Sequence, residues 1–379
     1  MNYQWIAESQ QLTPIIAQLQ NSLCNALDTE FIKVDTLYPK LGVLQIHVNG
    51  QVYLIDGQLD LSAVWQALFN AKQNVFHACG EDIDLMYHYA GQRPLSNVFD
   101  TQVAMAFLGY GRQVSYQSAL EQVLHVQVEK DQTRSDWLAR PLSEQQERYA
   151  AIDVFYLQDL AQHLITDLKQ HHFYDFVLED CHHYCVDVAQ QLPIEDIYLE
   201  MANHRYSSRQ LMQLKQLAMW RENLAIELNQ PRSFILKNHV IQQLLERTPK
   251  TMQQLVSDYQ IKPAIVRHHG KQILQLLNKL PEPSQYPTRL PRPYRYRLEH
   301  TKDHIEAKIA QVSQELAIPA DILMRKKWLS QLTTWVAQDT QNIDQLENYL
   351  RGWRYECLTL PLIDIIRQDL ATTVFSVSR

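Results

Sequence analysis

Residues 25–57 read NALDTEFIKVDTLYPKLGVLQIHVNGQVYLIDG, and this stretch decides the fold. Runs typical of strands lie at residues 25–31, 42–48 and 51–57. Asn49 and Gly50, between the last two runs, favour a type I′ hairpin turn. The first run carries Asp28 and Glu30, whose side chains share one face of a strand. Adjacent carboxylates repel each other, so the pair indicates a shared cation or proton, although Asp-Thr-Glu alone more often marks a solvated strand end.

The rest of the first half alternates helix and strand patterns. Apolar residues recur at helical spacing in 61–71, and short strand patterns follow at 74–78 and 97–100. Strands joined by short connections, followed by strands separated by helices, predict an α/β domain with a mixed sheet. The Gly-Tyr-Gly run at 109–111 lacks the third glycine and the preceding strand of a dinucleotide-binding loop. These patterns exclude a Rossmann or P-loop enzyme.

Charge divides the chain into two unlike halves. Residues 1–204 contain 10 Lys and Arg against 26 Asp and Glu, a net charge of −16. Residues 205–379 contain 25 against 16, a net charge of +9, and the two values sum to the −7 of the whole chain. An acidic half joined to a basic half suggests one part that holds cations and another that meets a polyanion, although two solvated surfaces would also fit.

The composition predicts a globular cytoplasmic protein. Of 379 residues 46% are hydrophobic, no apolar run has membrane-spanning length, and the N-terminus lacks a secretory signal pattern. The five cysteines are too scattered for a disulfide framework. The run CHHYC at 181–185 offers metal ligands, but it has helical periodicity and no second Cys/His pair at zinc spacing. Unliganded helix residues are the favoured interpretation.

From residue 143 onward the pattern is helical almost throughout. Five prolines in LPEPSQYPTRLPRPYRYR, residues 280–297, prevent a helix and predict an extended linker. Its arginines alternate with Tyr294 and Tyr296, which fits phosphate contact plus base stacking as well as a solvated tether. The helical blocks on either side are distantly alike, because LNQPRSFILK at 228–237 aligns with LAIPADILMR at 316–325. This internal similarity predicts a duplicated helical module.

Two further segments supply acidic residues. VFHACGEDIDLM at 75–86 predicts a strand and then a helix with Asp82 in its first turn, where a carboxylate is favoured. QERYAAIDVFYL at 146–157 is helical, so Tyr149 and Asp153 lie four residues apart on one face. Taken alone, the first is an ordinary helix start and the second a hydrogen-bonded surface pair.

In their order and context, these motifs resemble those of the DEDD exonuclease superfamily. DTEF, HACGED, FDT and SDWLARPLSEQQERYAAID together are similar to its tyrosine-containing branch, and to the ribonuclease D family over nearly the whole chain. The resemblance implies an RNase H-like 3′-5′ exonuclease domain of α/β class, followed by two all-α modules of the helicase-and-RNase-D C-terminal (HRDC) type. The implied boundaries are an exonuclease domain at 1–170, connecting helices at 171–204, an HRDC-like module at 205–282, a Pro/Arg-rich linker at 283–297 and a second module at 298–379.

The resemblance also implies the functional residues. The implied catalytic residues are Asp28, Glu30, Asp82, Tyr149 and Asp153. The four acids would hold two divalent ions, Mg²⁺ or Mn²⁺, and the tyrosine would orient the attacking water. Asp84 and Asp100 are nearby acids to which the pattern assigns no role. The candidate substrate contacts are Phe31, His77, Arg289, Arg292 and Arg295, of which Phe31 also fits the core and His77 a structural role at a strand end.

The implied partner is RNA with a free 3′ end, in particular tRNA precursors and other small structured RNAs. The product would be nucleoside 5′-monophosphates, and the enzyme is expected to be a monomer that contacts no membrane. Two other functions stay open: a DNA 3′-5′ exonuclease, and a catalytically inactive nucleic-acid-binding scaffold. The complete set of acids argues against the scaffold.

Overall fold

The computed structural model describes residues 1–128, 135–190, 192–339 and 342–371. The chain forms two compact units. Unit 1 combines residues 1–32 and 41–190 with the segment that begins at Tyr294, and unit 2 combines residues 33–40 and 191–293.

Six strands form one mixed sheet in unit 1. They are β1 (Tyr3–Ile6), β2 (Asn25–Ile32), β3 (Lys40–Val48), β4 (Gln51–Asp56), β5 (Asn74–Phe76) and β6 (Val98–Asp100). Their spatial order is β1-β4-β3-β2-β5-β6. The β1/β4, β2/β5 and β5/β6 pairs are parallel, and β3/β4 is antiparallel. The predicted mixed sheet is confirmed, and β2, which carries the acidic pair, is an interior strand.

The hairpin between β3 and β4 has the predicted turn. Asn49 and Gly50 have φ values of 49° and 77°, the positive values that both central residues of a type I′ turn require. The sequence pattern did not predict β1. This strand has four residues, too few for a clear alternation, and it lies at the sheet edge with Tyr3 paired to Val52.

Helices pack on the sheet in unit 1. Those that precede residue 191 are α1 (Leu12–Asn21), α2 (Ser62–Asn70), α3 (Gly80–Tyr89), α4 (Thr101–Phe107), α5 (Tyr116–Ala119), α6 (Glu144–Phe155), α7 (Leu157–Gln170) and α8 (Tyr174–Ala189). Unit 2 contains α9 (Ser208–Leu228), α10 (Arg232–Ile235), α11 (Asn238–Glu246), α12 (Met252–Ser257) and α13 (Pro263–Asn278). The C-terminal helices are α14 (Thr301–Leu316), α15 (Ala320–Leu323), α16 (Lys326–Ala337), α17 (Asn348–Arg351) and α18 (Leu360–Ala371), and they belong to unit 1. No helix in the described part of the chain has the length and apolar character needed to cross a membrane.

The backbone of the two helical blocks repeats where the sequences align. The first long helix of each block ends at a left-handed residue, with φ values of 45° and 54°. A proline then precedes a short helix, and a basic residue precedes the next helix. The corresponding pairs are Asn229 and Ala317, Pro231 and Pro319, and Lys237 and Arg325. Between the blocks, residues 280–297 contain one 3₁₀ turn and no α-helix, as their five prolines require.

The C-terminal helices join the core of unit 1 through a buried ion pair. Arg354, which is 0% exposed, donates to both oxygens of Asp180 on α8, over 2.6 and 2.7 Å. It also donates to the carbonyl oxygens of Leu323 and Ile322. The Trp353 indole donates to Asp180 as well, over 3.1 Å. A buried pair of this kind is stable only while both partners are present, so α8 and the C-terminal helices depend on each other.

The two units differ from the domain boundaries predicted from the sequence. Helix α8 lies in the range expected to hold connecting helices, yet it packs against α3, α4 and β6 within unit 1. Residues 33–40 leave the sheet after β2 and belong to unit 2, where Leu37 and Tyr38 donate backbone hydrogen bonds to Asn229. Residues 372–379, which end the predicted second module, lie outside the described residues.

Candidate active site

Strand β2 and helix α6 bring three carboxylates together. Asp28 and Glu30 project from one face of β2, and α6 packs against this strand. Oxygen atoms of Asp28, Glu30 and Asp153 all lie within 4.8 Å of one another. We call these three residues the carboxylate cluster; no other group of metal-ligating side chains occurs in the part of the chain that the structure describes.

Helix α6 is fixed at its start, which positions Tyr149 and Asp153. Ser143 and Gln146 form a capping box, in which each side chain bonds the other's backbone N–H. Upstream, Arg140 donates to both oxygens of Asp56 on β4 and to the Gly42 carbonyl on β3. The run SDWLARPLS at 135–143, which precedes α6, therefore anchors this helix to the sheet, and we call it the anchor.

Gly42 is required by the close approach of that run. A Cβ at Gly42 would lie 2.6 Å from the Trp137 carbonyl oxygen, too close for any other residue. The Trp137 ring is 1% exposed, and its centroid lies 6.1 Å from that of Tyr149. The ring of Tyr149, a catalytic candidate, therefore packs beside the buried Trp137 indole, which belongs to the anchor.

Asp82 lies beside the cluster in the first turn of α3. It is 7% exposed and accepts a hydrogen bond from the hydroxyl of Thr29, the residue between Asp28 and Glu30. Its negative charge raises the pKa of both Asp28 and Glu30. Asp82 is not one of the three carboxylates within 4.8 Å of each other, so the structure places it next to the cluster instead of in it.

Burial and mutual repulsion raise the pKa of every acid in the site. Burial first, and then the charges of Asp153 and Asp82, raise the pKa of Glu30 to about 9. Burial likewise raises the pKa of Asp153 to about 8 and that of Asp82 to about 6, and it holds the pKa of Asp28 well above its usual range. No Lys, Arg or His among the described residues forms an ion pair with these acids. Uncompensated carboxylate oxygens are the ligand set that hard divalent cations prefer, so the residues present fit such an ion.

Tyr149 is held in its neutral form next to the cluster. Burial and the charges of Asp153, Glu30 and Asp28 raise the pKa of its hydroxyl well above the usual value. The Asp153 carboxylate is a close neighbour of this hydroxyl. A neutral phenol at this position can donate and accept hydrogen bonds but cannot act as a base near neutral pH.

Tyr116 is a site residue that the sequence analysis missed. Its hydroxyl donates to the Ile152 carbonyl oxygen on α6 over 3.3 Å, and its pKa is raised well above the usual value, by burial first and then by Asp153 and Asp28. It lies in a segment with no neighbouring acid and no motif, so only the three-dimensional fold reveals its position beside the acids.

Asp100 and His77 contact neighbouring groups of the protein. Asp100 caps α4, where it accepts from the N–H groups of Gln102 and Val103, and it also accepts from those of Ala78 and Cys79. The two ring nitrogens of His77 contact the Thr101 hydroxyl at 2.8 Å and the Val114 carbonyl oxygen at 2.9 Å. Burial lowers the pKa of His77, which keeps the ring neutral.

The other candidate substrate contacts are spread over the chain. Phe31 follows Glu30 on β2 and is partly buried against the core. Arg289 and Arg292 are exposed in unit 2, and Arg295 is exposed in unit 1.

The tyrosines of the linker contact the C-terminal helices through their hydroxyl groups. The sequence pattern presents Tyr294 and Tyr296, between arginines, as stacking surfaces for bases. Instead, the Tyr294 hydroxyl donates to Asp369 over 2.5 Å, and the Tyr296 hydroxyl lies 2.9 Å from that of Thr333. Both hydroxyls connect the linker to the C-terminal helices, while the rings are partly exposed, so base stacking stays a prediction.

The CHHYC run lies within α8, as its periodicity predicted. Cys181 and Cys185 are buried, and both are free thiols. The run does not belong to a group of three or more metal-ligating side chains among the described residues.

Comparisons with known proteins identify the class of this site. A family model described as 3′-5′ exonuclease matches residues 3–169, and a model of the HRDC domain matches residues 210–277. Ribonuclease D of Pseudomonas paraeruginosa is 30% identical over 370 residues, which cover 96% of this chain and 97% of the relative. Ribonuclease D of Escherichia coli is 28% identical and covers 97% of this chain and 99% of the relative.

Solved structures agree in fold. The crystal structure of Escherichia coli RNase D matches with a TM-score of 0.88 over 97% of this chain and 99% of that one, at 28% identity. The catalytic core of RRP6 from Trypanosoma brucei matches with a TM-score of 0.56 at 19% identity, over 73% of this chain and 78% of that one, which shows a shared fold. The chain belongs to the ribonuclease D family. It is a 3′-5′ exoribonuclease that acts on RNA and uses a divalent metal.

Proposed function

We propose that this enzyme removes nucleotides one at a time from the 3′ ends of tRNA precursors and other small structured RNAs in the cytoplasm. The structurally similar RNase D of Escherichia coli is an exoribonuclease involved in structured RNA processing, which supports this substrate class. The observation that carries the chemistry is the carboxylate cluster, three acids within 4.8 Å without a cationic partner among the described residues.

We further propose that Asp28, Glu30, Asp82 and Asp153 hold two ions, Mg²⁺ or Mn²⁺. Bound at these residues, divalent ions would supply Lewis-acid activation of water and neutralise charge on the phosphodiester. The raised pKa values support this assignment, because acids that repel one another so strongly take up protons unless a cation is present. Asp82 is included in this proposal because it lies beside the cluster on α3 and accepts a hydrogen bond from the Thr29 hydroxyl.

Tyr149 positions the attacking water in this proposal. Its hydroxyl is neutral and adjoins Asp153, so it can accept a hydrogen bond from water or donate one to a phosphate oxygen. Positioning explains the role of this phenol better than proton abstraction does, because burial raises the pKa of its hydroxyl. The buried Trp137 ring beside it limits its movement.

The basic second half is proposed to hold the body of the RNA. Residues 205–379 carry a net charge of +9, and phosphate contacts by basic residues dominate affinity for nucleic acids. The second HRDC-like module at 298–379 is part of this proposal, supported by the repeated backbone path. We also propose that the enzyme is a monomer, since the catalytic candidates all lie in one chain.

A digest of a 3′-extended tRNA precursor tests the proposal. Denaturing gels should show single-nucleotide shortening with Mg²⁺ or Mn²⁺ and none with EDTA, and chromatography should show nucleoside 5′-monophosphates. A matched DNA oligonucleotide tests the alternative substrate, and faster loss of DNA would favour a DNA exonuclease. Binding without shortening in any divalent metal would instead support an inactive scaffold. Asp28→Asn should bind RNA but not shorten it, since it removes charge without opening a cavity.

A further inference from the structure

The junction between α6 and α7 is a break in a helical run that the sequence itself does not interrupt. Residues 144–170 contain neither glycine nor proline, yet the two helices are separate on either side of Tyr156. A regular helix would pair the Tyr156 N–H with the carbonyl oxygen of Ile152, four residues earlier. This N–H is directed to the Val154 carbonyl oxygen instead. Without proline or glycine, such a break indicates a side chain that inserts into the helical hydrogen-bond ladder.

Tyr116, at the start of α5, supplies that side chain. Its hydroxyl donates to the Ile152 carbonyl oxygen over 3.3 Å. Burial raises the pKa of this hydroxyl, so it stays neutral and keeps the proton that it donates. The ring packs beside His77, with 5.5 Å between the ring centroids. His77 is held in turn by the Thr101 hydroxyl and the Val114 carbonyl, so the position of the donor is well supported.

His47 holds a second carbonyl of the same helical turn. Its Nδ1 lies 3.2 Å from the Val154 carbonyl oxygen, and its ring stacks on that of Phe155, with centroids 5.8 Å apart. Burial lowers the pKa of His47, so the ring is neutral and carries one N–H. Because a carbonyl oxygen can only accept, that proton lies on Nδ1. His47 belongs to β3, so this bond joins the end of α6 to the sheet.

Asp153 lies between the two carbonyls that Tyr116 and His47 hold. The last carbonyls of an α-helix have no partner within the helix, and helix ends fray unless other groups hold them. Asp28 and Glu30 are carried by an interior strand of the sheet, whereas Asp153 is carried by the last turn of α6. The separation of the three acids therefore depends on how this turn is held.

We propose that Tyr116 and His47 are positioning residues for catalysis, which clamp the last turn of α6 from two separate elements. The clamp sets the Asp153 carboxylate at the distance from the other acids of the cluster that a shared divalent cation needs. Neither residue contacts the reacting atoms, and each acts through the backbone beside Asp153. The inference rests on the proposed function, because it takes Asp153 to be a metal ligand.

The test measures metal binding and turnover separately. Mn²⁺ binding to the full chain without RNA is followed by electron paramagnetic resonance of the free ion. The constants kcat and KM are measured on a short single-stranded oligoribonucleotide at saturating Mn²⁺. Tyr116→Phe removes one oxygen atom and keeps the ring, and His47→Phe keeps an aromatic ring against Phe155 and removes the donor. Each should weaken Mn²⁺ binding about tenfold and lower kcat by a similar factor, with KM for RNA unchanged.

The matched control is Tyr259→Phe. Tyr259 also donates its hydroxyl to a backbone carbonyl, that of Arg247 in unit 2, so the same kind of hydrogen bond is lost. Mn²⁺ affinity and kcat of this variant should stay at the wild-type values. If either Tyr116→Phe or His47→Phe matches the control in both quantities, the proposal is overturned.

A conservative variant separates the hydrogen bond from the packing of the ring. His47→Asn keeps an N–H donor close to the position of Nδ1, so it should retain more Mn²⁺ affinity and more kcat than His47→Phe. Equal losses in the two variants would mean that ring packing, not the bond to Val154, matters here, and would overturn the role of His47. Urea unfolding in EDTA checks that each variant is folded. Should His47→Phe not fold, Tyr116→Phe decides alone, since it changes one atom of a partly exposed side chain.

Asp153→Asn distinguishes failure of the clamp from failure of the proposed metal site. If Asp153→Asn binds Mn²⁺ and shortens RNA like the wild type, the metal assignment fails, and the clamp fails with it. If Asp153→Asn loses both properties while Tyr116→Phe and His47→Phe keep them, the metal site stands and the clamp alone is overturned.

Discussion

Removing one acid from the carboxylate cluster should stabilise the metal-free protein while abolishing its activity. Asp153→Asn keeps the shape of the side chain and removes its charge. Two unit charges 4.8 Å apart repel each other by about 3.5 kcal/mol at an effective dielectric constant near 20, and Asp153 faces two such neighbours. Because the acids take up protons and water screens them in part, we expect a net gain in unfolding free energy of about 2–4 kcal/mol near pH 8.

The gain in unfolding free energy from Asp153→Asn should increase as pH rises. Asp153 and Glu30 have folded-state pKa values of about 8 and 9, above the usual value near 4 for the unfolded chain. A raised pKa costs no stability below about pH 4, and the cost grows as pH rises toward the folded-state values. The stability of the metal-free wild type should therefore fall between pH 4 and 9, and Asp153→Asn should fall less.

Urea unfolding at pH 5 and pH 8, in EDTA and in Mg²⁺, tests this prediction by measuring the free energy of unfolding of the wild type and of Asp153→Asn. Mg²⁺ should stabilise the wild type at pH 8 and should have little effect on the variant. The matched control is Glu144→Gln, an exposed acid in the first turn of the same helix, whose loss should cost up to about 1 kcal/mol instead of adding stability. A variant less stable than the wild type in EDTA at pH 8 would refute the reasoning from repulsion.

Three other perturbations have defined outcomes. Tyr149→Phe should fold normally and lose on the order of 10²-fold in kcat, with KM nearly constant, because one positioned hydrogen bond disappears. Arg354→Met should lower the free energy of unfolding by about 3–5 kcal/mol in urea, since it leaves Asp180 charged and buried without its partner. Asp369→Asn should cost about 2 kcal/mol at pH 7 and nothing below pH 2. Although burial opposes it, hydrogen bonds from Thr301, Tyr294 and two backbone N–H groups lower the pKa of Asp369 to about 2, so its contribution is present above pH 4 and lost as pH falls.

Each of these three predictions has a result that would contradict it. Wild-type kcat in Tyr149→Phe would make that residue structural. An Arg354→Met protein as stable as the wild type would mean that the contact with Asp180 does not contribute to stability, and the Asp180→Asn, Arg354→Met double variant serves as control because it removes both side-chain partners. A stability deficit of Asp369→Asn that persists unchanged at pH 2 would show that packing, not the carboxylate charge, is what the substitution disturbs.

Local patterns were sufficient to predict most strands of the sheet, whereas the candidate site residues came from the resemblance of the motifs to a known family. Alternating apolar residues and the Asn49-Gly50 turn signal depend on neighbours in sequence, and they correctly predicted β2, β3 and β4. Helical spacing correctly placed Tyr149 and Asp153 on one face of α6. The order of the motifs then connected segments that lie far apart in the chain, which periodicity alone cannot do.

Other features were not predictable because they depend on contacts between distant segments. Tyr116 has no local signal, and it reaches the acids only through the path of the loop after α4. The pairing of Asp180 with Arg354 spans 174 positions, and nothing in either neighbourhood indicates the other. The linker tyrosines alternate with arginines as nucleic-acid contacts often do, but Asp369 and Thr333 bind them within the protein.

The pairing of Asp180 with Arg354 has a consequence for how this chain is made. At about 5–20 residues per second, the ribosome needs roughly 10 to 35 seconds to extend the chain from the acid to the base 174 positions later. Throughout that interval helix α8 lacks its partner, so the exonuclease part cannot complete its core when its last strand emerges. Proteolysis of ribosome-bound chains stalled before and after Arg354 should show protection of α8 only in the longer chains; protection in the shorter ones would mean that α8 is already stable without the base. The nuclease would then become competent only after Arg354 has left the ribosome and reached Asp180.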